Sequence, residues 1–396
     1  MSRLNELIQQ YCPDGVEYMP LYSITEQFSG MTGVSNKWAE SGNCIFIDYM
    51  NVYKHLSVDT SALKYATVKS LNQNTLMKGD ILFTSASETP DECALSAVIE
   101  TDIQEGVFLD DHLFGLRLLD EYRTLISPSY LKYAFRSPWF RSQVRKVVRG
   151  VTRNYVSKTD FMKLTIPVPP LPVQEEIVRI LDNFSELQAE LQAELQKRLQ
   201  QYNYYRDNLL SFEGRTDVEW KKLGDVADLG TGSHNTQDGL VEGEYPFYTR
   251  GSEILYLNDY DYDETAIITA GDGAGVGKVF HFVEGKYALH QRAYRIVPNE
   301  KFMLARFVYY YIGATFYNYI MKSSVSSSVV SIRKPMMVNY PIPVPSLEEQ
   351  QKIVDILDRF DTLTTDITAG LPAEIEARRK QYEYYRDQLL TFKQKA

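Results

Sequence analysis

The run Ile-Pro-Val-Pro at 166–169 opens a stretch of sequence that occurs twice in this 396-residue chain. The same four residues stand at 342–345, and each run leads into a segment rich in Leu, Ile, Gln and Glu. The far ends match better still, because Gln-Tyr-Asn-Tyr-Tyr-Arg-Asp at 201–207 corresponds to Gln-Tyr-Glu-Tyr-Tyr-Arg-Asp at 381–387. The offset grows from 176 to 180 residues, so the second copy is longer by about one helical turn. The duplication predicts a molecule of two similar halves.

Each copy has the apolar spacing of an amphipathic helix. From Ile177 to Phe212 an apolar side chain recurs every three or four positions, with Glu, Gln, Lys and Arg between. The prolines before it favour an extended lead-in. We predict a helix of about forty residues, roughly 60 Å long, whose apolar stripe packs against that of the second copy. Gly370 and Pro372 predict a break in the second helix, and two unrelated surface helices remain the alternative.

Length and composition favour a soluble protein of several domains. A chain of 396 residues predicts two or three domains. The three cysteines, Cys12, Cys44 and Cys93, are scattered and indicate neither a disulfide framework nor a zinc site. No signal peptide opens the sequence and no apolar run approaches the length that spans a membrane. We therefore expect a cytoplasmic protein with no membrane partner.

The charge distribution points to a polyanionic partner, although the net charge is −10. Residues 130–163 contain nine Lys or Arg and one acidic residue, and residues 301–340 contain five basic residues and no acidic one. Two basic blocks at equivalent places of a repeat are typical of proteins that bind nucleic acid. The alternative is a basic helix face that only contacts solvent.

The order of the segments indicates a circular repeat. Residues 2–12 predict a short helix that is similar to the tail of the central helix at an offset of 202, so the chain begins in the middle of a unit. We expect five segments: an N-terminal helix packed near the C-terminal helix (1–15), a first globular domain (16–165), a central lead-in and helix (166–215), a second globular domain (216–341) and a C-terminal lead-in and helix (342–396).

Both globular segments mix strands and helices. Short alternating runs predict strands, and longer patterns predict a helix after them, as expected at 44–47, 80–84 and 266–269 for strands and at 131–148 and 305–321 for helices. The glycines of 271–277 predict a tight turn between strands.

Catalytic motifs are incomplete in this sequence. The segment around Gly273 resembles a phosphate-binding loop, but Asp272 replaces its first glycine and Val279 replaces its Ser or Thr. The five histidines do not have metal-ligand spacing. A Ser/His/Asp set stays open, because its members need not be close in sequence. We expect no metal and no cofactor in this chain, and any chemistry to reside in another chain.

The two lead-ins, the two helices ending Tyr-Tyr-Arg-Asp-x-Leu-Leu and the dissimilar segments between them together resemble the specificity subunit of type I restriction-modification systems. The similarity extends over nearly the whole chain. It implies an α+β fold in which two mixed α/β target-recognition domains are joined by two long helices, packed as an antiparallel coiled coil with an internal pseudo-two-fold repeat. It also implies that the chain is not itself an enzyme.

The resemblance further implies a set of partners. The expected ligand is double-stranded DNA with a bipartite target, one half-site for each recognition domain. Two modification subunits that bind S-adenosylmethionine and methylate adenine N6 would assemble on the chain, and restriction subunits would join for cleavage, with ATP and Mg²⁺ on the partner subunits. The family's Glu-Gln pair stands at Glu349 and Gln350, whereas the first copy has Val173 and Gln174. We expect Gln174, Glu349 and Gln350 to contact a partner.

Polar residues in loops and in the basic blocks are the candidates for reading DNA. Side chains that reach into a groove read base edges, and phosphate contacts set the register. In the first domain we predict DNA contacts by Ser85, Ser87, Arg145, Arg149, Thr152, Arg153, Asn154 and Lys158. In the second domain we predict contacts by Thr231, Ser233, His234, Arg250, Asp272, Ser326, Ser328, Arg333 and Lys334.

Two other classes of function stay open. A coiled-coil scaffold without any DNA role would share the long helices, and it would bind no duplex. Part of a fused methyltransferase or nuclease would need motifs that this sequence lacks.

Overall fold

The computed structural model of the chain describes residues 2–150, 153–323, 331–365 and 369–395. The chain divides into two compact units. The first unit combines Met1–Glu190 with Ile375–Ala396, and the second unit is Leu191–Glu374. Among the described helices, none is both long and apolar enough to cross a membrane.

The first unit contains thirteen described strands in four sheets. In chain order these are β1 (Glu17–Pro20), β2 (Thr25–Ser29), β3 (Val34–Ala39), β4 (Cys44–Ile47), β5 (Lys64–Val68), β6 (Ile81–Thr84), β7 (Ala86–Ser87), β8 (Ser96–Val98), β9 (Val107–Leu109), β10 (Leu113–Leu118), β11 (Val148–Arg149), β12 (Asn154–Val156) and β13 (Thr165–Val168). The sheets have the orders β2-β10-β6-β8, β3-β5-β4-β9, β11-β12-β7 and β1-β13. Only β4 and β9 pair in parallel within this set.

The second unit is built on one large sheet. Its strands are β14 (Glu219–Lys222), β15 (Ala227–Thr231), β16 (Tyr245–Tyr248), β17 (Ile254–Leu257), β18 (Tyr262–Ala270), β19 (Phe280–Leu289), β20 (Ala293–Pro298) and β21 (Pro341–Val344). Six of them form a sheet of order β15-β20-β18-β19-β16-β17, and β14 pairs with β21. The strand predicted at 266–269 is the end of β18, and the glycine-rich turn follows it as expected.

The described helices lie before, between and after these strands. They are α1 (Ser2–Tyr11), α2 (Leu21–Ile24), α3 (Tyr49–Lys54), α4 (Pro128–Ala134), α5 (Pro138–Val147), α6 (Lys158–Phe161), α7 (Leu171–Leu209), α8 (Leu223–Val226), α9 (Ala305–Ser323), α10 (Lys334–Val338), α11 (Leu347–Thr365) and α12 (Leu371–Leu389). The break predicted at Gly370 and Pro372 is confirmed, because α11 ends at Thr365 and α12 begins at Leu371.

The single helix predicted at 131–148 is wrong, since α4 and α5 divide at Ser137. Pro138 has no N–H to donate and disfavours helical geometry in the residue before it. The hydroxyl of Ser137 instead accepts the N–H of Phe140 and caps α5. The apolar periodicity continues through Pro138, and for that reason the sequence pattern predicted one helix instead of two.

Each proline lead-in forms the second strand of a small ribbon. In the first unit Pro167 of β13 stands opposite Tyr18 of β1, and in the second unit Pro343 of β21 stands opposite Trp220 of β14. A two-stranded ribbon has only edge strands, which tolerate a residue that cannot donate a hydrogen bond. The ribbons thus explain why the duplicated sequence opens with alternating prolines.

The long helices pair within each unit, and the direction is antiparallel. In the first unit Phe184 of α7 stacks on Tyr385 of α12 at 5.5 Å, and Leu181 shares a core with Leu389. Residue numbers therefore rise along one helix as they fall along the other. In the second unit Phe360 of α11 stacks on Tyr205 of α7, also at 5.5 Å. The α+β class and the antiparallel helix packing are confirmed.

Candidate nucleic-acid interface

The first basic block is only partly available to a ligand. Lys132 is buried and binds Glu100 and Asp182 at 3.1 and 3.0 Å. Arg136 and Arg141 donate to backbone carbonyls, and burial lowers the pKa of each to about 10. These three cations stabilise the fold. The prediction that the whole of 130–163 forms a polyanion surface is therefore wrong for them.

The remaining arginines of the block lie at the end of α5 and on the hairpin that follows, and Lys158 and Lys163 lie in and after α6. Arg145 pairs with Asp91, and Arg149 has a carboxylate oxygen of Asp160 at 3.7 Å. Arg153 is exposed and forms no ion pair within the part of the chain that the structure describes. Its charge is therefore the most available of the predicted first-domain arginines.

A cleft of about 830 Å³ gathers two predicted residues of the first unit. Ser87 and Arg153 both line it, although 66 residues separate them in sequence. We define the first-unit cleft by the polar and aromatic residues of its wall: Tyr49, Tyr53, Ser87, Glu88, Glu92, His112 and Arg153. Tyr49 and Tyr53 stack at 5.9 Å, so the wall offers both aromatic faces and hydrogen-bonding groups.

Glu92 organises the first-unit cleft and was missed by sequence reasoning. Its carboxylate accepts hydrogen bonds from the hydroxyls of Tyr53 at 2.6 Å, Ser87 at 2.9 Å and Thr89 at 2.8 Å. These donors lower the pKa of Glu92, the Tyr53 hydroxyl first among them. The carboxylate therefore stays ionised near neutral pH and orients Ser87. Sequence spacing carried no signal for this, because Tyr53 lies 39 positions from Glu92.

Three other predicted residues of the first unit make contacts within the protein. Asn154 is 8% exposed, and its amide donates to the carbonyl of Glu88 at 2.8 Å. Ser85 accepts the N–H of Val156 on its carbonyl. Lys158 is half-buried over the ring of Phe114, and burial lowers its pKa. Direct contact of Asn154 with DNA stays a prediction, and its observed contact holds β12 beside β7.

In the second unit, two arginines converge on one carboxylate. Asp272 accepts Nη1 of Arg250 at 2.8 Å and Nη1 of Arg292 at 3.0 Å. Burial alone would raise the pKa of Asp272, but the hydrogen bonds and charges of the two arginines outweigh it and the pKa is lowered. We call these three residues the arginine cluster. Arg250 and Asp272 were predicted, whereas Arg292 was missed.

The predicted residues at and after the end of β15 lie near the loop that carries Arg292, since the carbonyl of His234 accepts the N–H of Gln291 at 2.9 Å. Ser233 donates to Asp261 at 3.0 Å, and Nε2 of His234 is 3.4 Å from the same carboxylate. Asp261 also accepts the N–H of Leu289, the last residue of β19. Thr231 is exposed and its carbonyl accepts the Tyr262 hydroxyl. The polar triplet 290–292 directly after this long strand was the signal that could have identified Arg292.

The segment before α10 joins the arginine cluster through its backbone. The N–H of Ile332 donates to the carbonyl of Gly271 at 2.7 Å, which brings Arg333 and Lys334 into the same region of the second unit. Both side chains are exposed. The predicted contacts of Thr152, Ser326 and Ser328 lie outside the described residues.

Gln174 and Gln350 have an internal role that differs from the expected one. Gln174 is fully buried, accepts the N–H of Ser127 and donates to the carbonyls of Leu125 and Pro169. These groups are too deep to contact another chain in this structure. The expectation of direct partner contact is therefore corrected for both glutamines, since Gln350 is equally buried.

The second glutamine repeats the contacts of the first. Gln350 accepts the N–H of Leu304 and donates to the carbonyls of Phe302 and Pro345. We call each set a glutamine clamp, because one side chain ties the loop before a helix to the proline lead-in. Glu349 beside it is half-buried and pairs with Arg215. Its counterpart Val173 is fully buried, so the two copies differ here.

Metal chemistry finds no support in the described ranges. No group of three or more His, Cys, Asp or Glu side chains there is arranged to hold a metal ion. Both polar sites consist of hydrogen-bond donors and acceptors fixed by a carboxylate, which suits recognition of another polar surface.

Comparisons with known proteins agree on one family. The family model for the type I restriction modification DNA specificity domain matches residues 13–201 and 216–377. The chain is 38% identical over 301 residues to the specificity subunit of the type I restriction enzyme EcoR124I/EcoR124II of Escherichia coli. This match covers 69% of this chain and 72% of that protein. It is 29% identical over 395 residues to the EcoprrI specificity subunit of Escherichia coli, 93% of each chain.

The fold has a counterpart among solved structures. The S subunit of a type I restriction-modification system from M. genitalium matches with a TM-score of 0.59, over 95% of this chain and 96% of that chain. Identity to it is 15%, so this likeness concerns the fold alone.

Proposed function

This chain belongs to the type I restriction modification DNA specificity family, and on that premise we propose that it reads a bipartite DNA target, one half-site with each unit. The observation that carries the proposal is that two different polar sites stand on a duplicated frame. By frame we mean the proline lead-ins, the long helices and the glutamine clamps, which occur in both units. The first-unit cleft is organised by Glu92 and hydroxyl groups, whereas the arginine cluster is organised by Asp272 and guanidinium groups. Two chemically different readers predict two different half-sites.

Recognition and phosphate contact divide between the residues of each unit. Arg149 and Arg153 in the first unit, and Arg333 and Lys334 in the second, are exposed cations suited to phosphates, which carry most of the affinity. Side chains with fixed orientation are suited to base edges, since discrimination requires donors and acceptors at defined positions. Ser87 in the cleft meets that requirement because Glu92 holds its hydroxyl.

The chain supplies recognition, and its partners supply the chemistry. Methyl transfer and cleavage belong to modification and restriction subunits, which bring S-adenosylmethionine, ATP and Mg²⁺. A coiled-coil scaffold without DNA contacts is disfavoured by the two oriented polar sites, because a scaffold has no need of them.

A repeated surface on the helices supports the platform role. Tyr204 and Tyr384 occupy equivalent positions and are 67% and 62% exposed. The residues that follow repeat as well, since Arg206 binds Asp207 and Arg386 binds Asp387 with nearly the same geometry. Core packing does not explain why exposed side chains stay identical in two copies. An identical partner that docks once on each unit does explain it, and we identify that partner as the modification subunit.

The test is a selection of bound sequences from randomised duplex DNA. The full-length chain, with the modification subunits of its host, is expected to select a motif of two short blocks separated by unspecified bases. Labelled S-adenosylmethionine should give methylated DNA with the complex and none with the chain alone. Selection of a single uninterrupted block, or of no sequence at all, would overturn the bipartite proposal. Methyl transfer by the isolated chain would overturn the division of labour.

A further inference from the structure

The glycine-rich turn after β18 brings the arginine cluster together. The N–H of Gly271 donates to the carbonyl of Arg292 at 2.8 Å, and a Cβ at this position would lie 2.5 Å from that oxygen. A Cβ at Gly275 would lie 2.4 Å from the carbonyl of Arg250. Any larger residue at either position would push away the backbone of one of the two arginines. The close approach of the two arginine backbones therefore explains the glycines of this turn, and phosphate binding is not needed to explain them.

Asp272 stands between the two arginine backbones and orients both side chains. Each of its oxygens accepts one guanidinium N–H, from Arg250 on Oδ1 and from Arg292 on Oδ2. A guanidinium carries five N–H donors in a fixed fork, so most of the donors remain for a ligand. Arg292 has a 64% exposed side chain, against 41% for Arg250, and is the better placed of the two to meet one.

The backbone around Arg292 is also held. His290 is buried, and its Nδ1 accepts the N–H of Arg292 at 2.9 Å. The neighbouring Gln291 is exposed, and its amide donates to the side chain of Asn235. Arg292 thus extends from a short loop whose backbone and side chain both have defined partners, in contrast to a flexible surface arginine.

We propose that Arg292 reads a guanine in the major groove of the half-site bound by the second unit, with Asp272 and Arg250 as positioning residues. Guanine presents O6 and N7, two acceptors that match the guanidinium fork. The inference rests on the proposed function of this unit and names the base that its best-oriented donor recognises.

The carboxylate decides between a base and a phosphate as the ligand of Arg292. A site for a phosphate gains from every unpaired cation and loses from an acidic side chain within hydrogen-bond distance of the anion. Asp272 neutralises part of the charge of both arginines, and it also fixes the orientation of their guanidinium groups. A base edge is uncharged, so it can bind the oriented guanidinium donors without the repulsion that Asp272 would exert on a phosphate.

The experiment measures base selection by the full-length chain with the modification subunits of its host. Arg292→Lys keeps the charge and removes the fork, and Arg198→Lys on α7 is the matched control because Arg198 also pairs with a carboxylate, that of Glu194. In Arg292→Lys, discrimination for guanine at one position of one half-site should fall by roughly 10- to 100-fold. The other half-site and the control variant should stay as in the wild type.

A second measurement changes the DNA, so its result with the wild-type chain does not depend on how a variant folds. Replacing the selected guanine by 7-deazaguanine removes the N7 acceptor, and wild-type affinity should fall by roughly ten-fold, whereas Arg292→Lys should be less sensitive to the change. Asp272→Asn should give an intermediate loss of discrimination with its preference for guanine retained.

Three outcomes would overturn the inference. Unchanged base selection in Arg292→Lys would show that Arg292 does not read a base. Uniform weakening of an Arg292→Gln variant on all sequences, with a salt dependence reduced by roughly 0.9 in log–log slope, would identify a phosphate contact instead, because that variant removes the charge. Absence of any sequence selection by the wild type would overturn the proposed function itself, and the inference with it.

Discussion

The two units share a frame and differ at their polar sites. The glutamine clamps make the same three hydrogen bonds at Gln174 and at Gln350, and the aromatic stacks of Phe184 and Phe360 have the same 5.5 Å separation. The sheets above these frames differ in strand number and order. Packing thus preserves the frame in both copies, while the surface that meets a ligand is free to diverge.

The contacts of Asp182 and Asp358 show that the two frames share interactions but not every residue type that makes them. Asp182 accepts the hydroxyl of Tyr133 and the ammonium of Lys132, whereas Asp358 accepts the hydroxyl of Tyr310 and the guanidinium of Arg306. The carboxylate and the hydroxyl recur, and the cation changes type. A sequence comparison of the two halves aligns the aspartates but not their cationic partners.

The largest expected effect is the loss of a glutamine clamp. Gln174→Ala or Gln350→Ala leaves one buried N–H and two carbonyls without their side-chain partner, which should cost about 3 kcal/mol of unfolding free energy. If the frames are equivalent, the two variants should be destabilised alike in urea unfolding of the full-length chain.

The exposed neighbour Gln351 is the control for the clamps. It binds Asp355 on its own helix, so Gln351→Ala should change stability by no more than roughly 0.5 kcal/mol. A large loss in only one of the two clamp variants would show that the two clamps are not equivalent and that one of them is dispensable.

A smaller effect should separate the two helix contacts. Asp182→Ala removes one partner of Lys132, whose side chain is 9% exposed, and Asp358→Ala removes one partner of Arg306, which is 28% exposed. A more deeply buried cation loses more when its pairing is weakened. Both aspartates are partly exposed and screened, so we expect about 1–2 kcal/mol, with the greater loss in Asp182→Ala. Thermal unfolding of the two variants measures the difference, and a greater loss in Asp358→Ala would contradict the argument.

The frame could be predicted from sequence because its signals are local or repeated. The break at Gly370 and the strands at 44–47 and 80–84 follow from residues that are neighbours in the chain. The split at Pro138 had a local signal too, and the continuing apolar period masked it. The division of the basic block could not be predicted, since the hydrogen bonds of Arg136 go to carbonyls such as that of Val52, 84 positions away.

The polar sites were only partly predictable for the same reason. Ser87, Arg153, Arg250 and Asp272 were named from polar residues in loops, but Glu92 and Arg292 were not. The arginine cluster joins residues that are 20 and 22 positions apart in sequence. They meet at a turn whose glycines match only an incomplete phosphate-binding motif. Convergence of this kind depends on how strands end at one edge of a sheet, which periodicity does not encode.

Removal of exposed charges should weaken the binding of each unit to DNA phosphates. Arg149→Gln with Arg153→Gln in the first unit, and Arg333→Gln with Lys334→Gln in the second, should each lower the log–log salt slope of duplex binding by roughly 0.9 for every phosphate that the variant no longer binds. Adding Arg145→Gln should contribute least, because Asp91 already pairs with Arg145. Arg198→Gln on α7 is the control and should leave the slope unchanged. Equal slopes in wild type and variants would mean that these cations face solvent.

The smallest expected effect concerns acid stability of the two polar sites. The pKa of Asp272 is lowered in the folded chain, because its two arginines outweigh burial, and that of Glu92 is lowered by its hydroxyl donors. A carboxyl group with a lowered folded-state pKa contributes stability above its unfolded pKa and loses it as pH falls through the folded value. The contribution of Asp272 should therefore be complete near pH 7 and decline below about pH 4. Asp272→Asn should lower the stability at pH 7 by less than about 1 kcal/mol, because Arg292 is largely exposed and Arg250 partly so, and solvent screens both pairs. The gap between variant and wild type should close as the pH approaches 3 in urea unfolding. A gap that widens on acidification would mean that Asp272 is protonated in the folded chain and that the arginine cluster lacks its central charge.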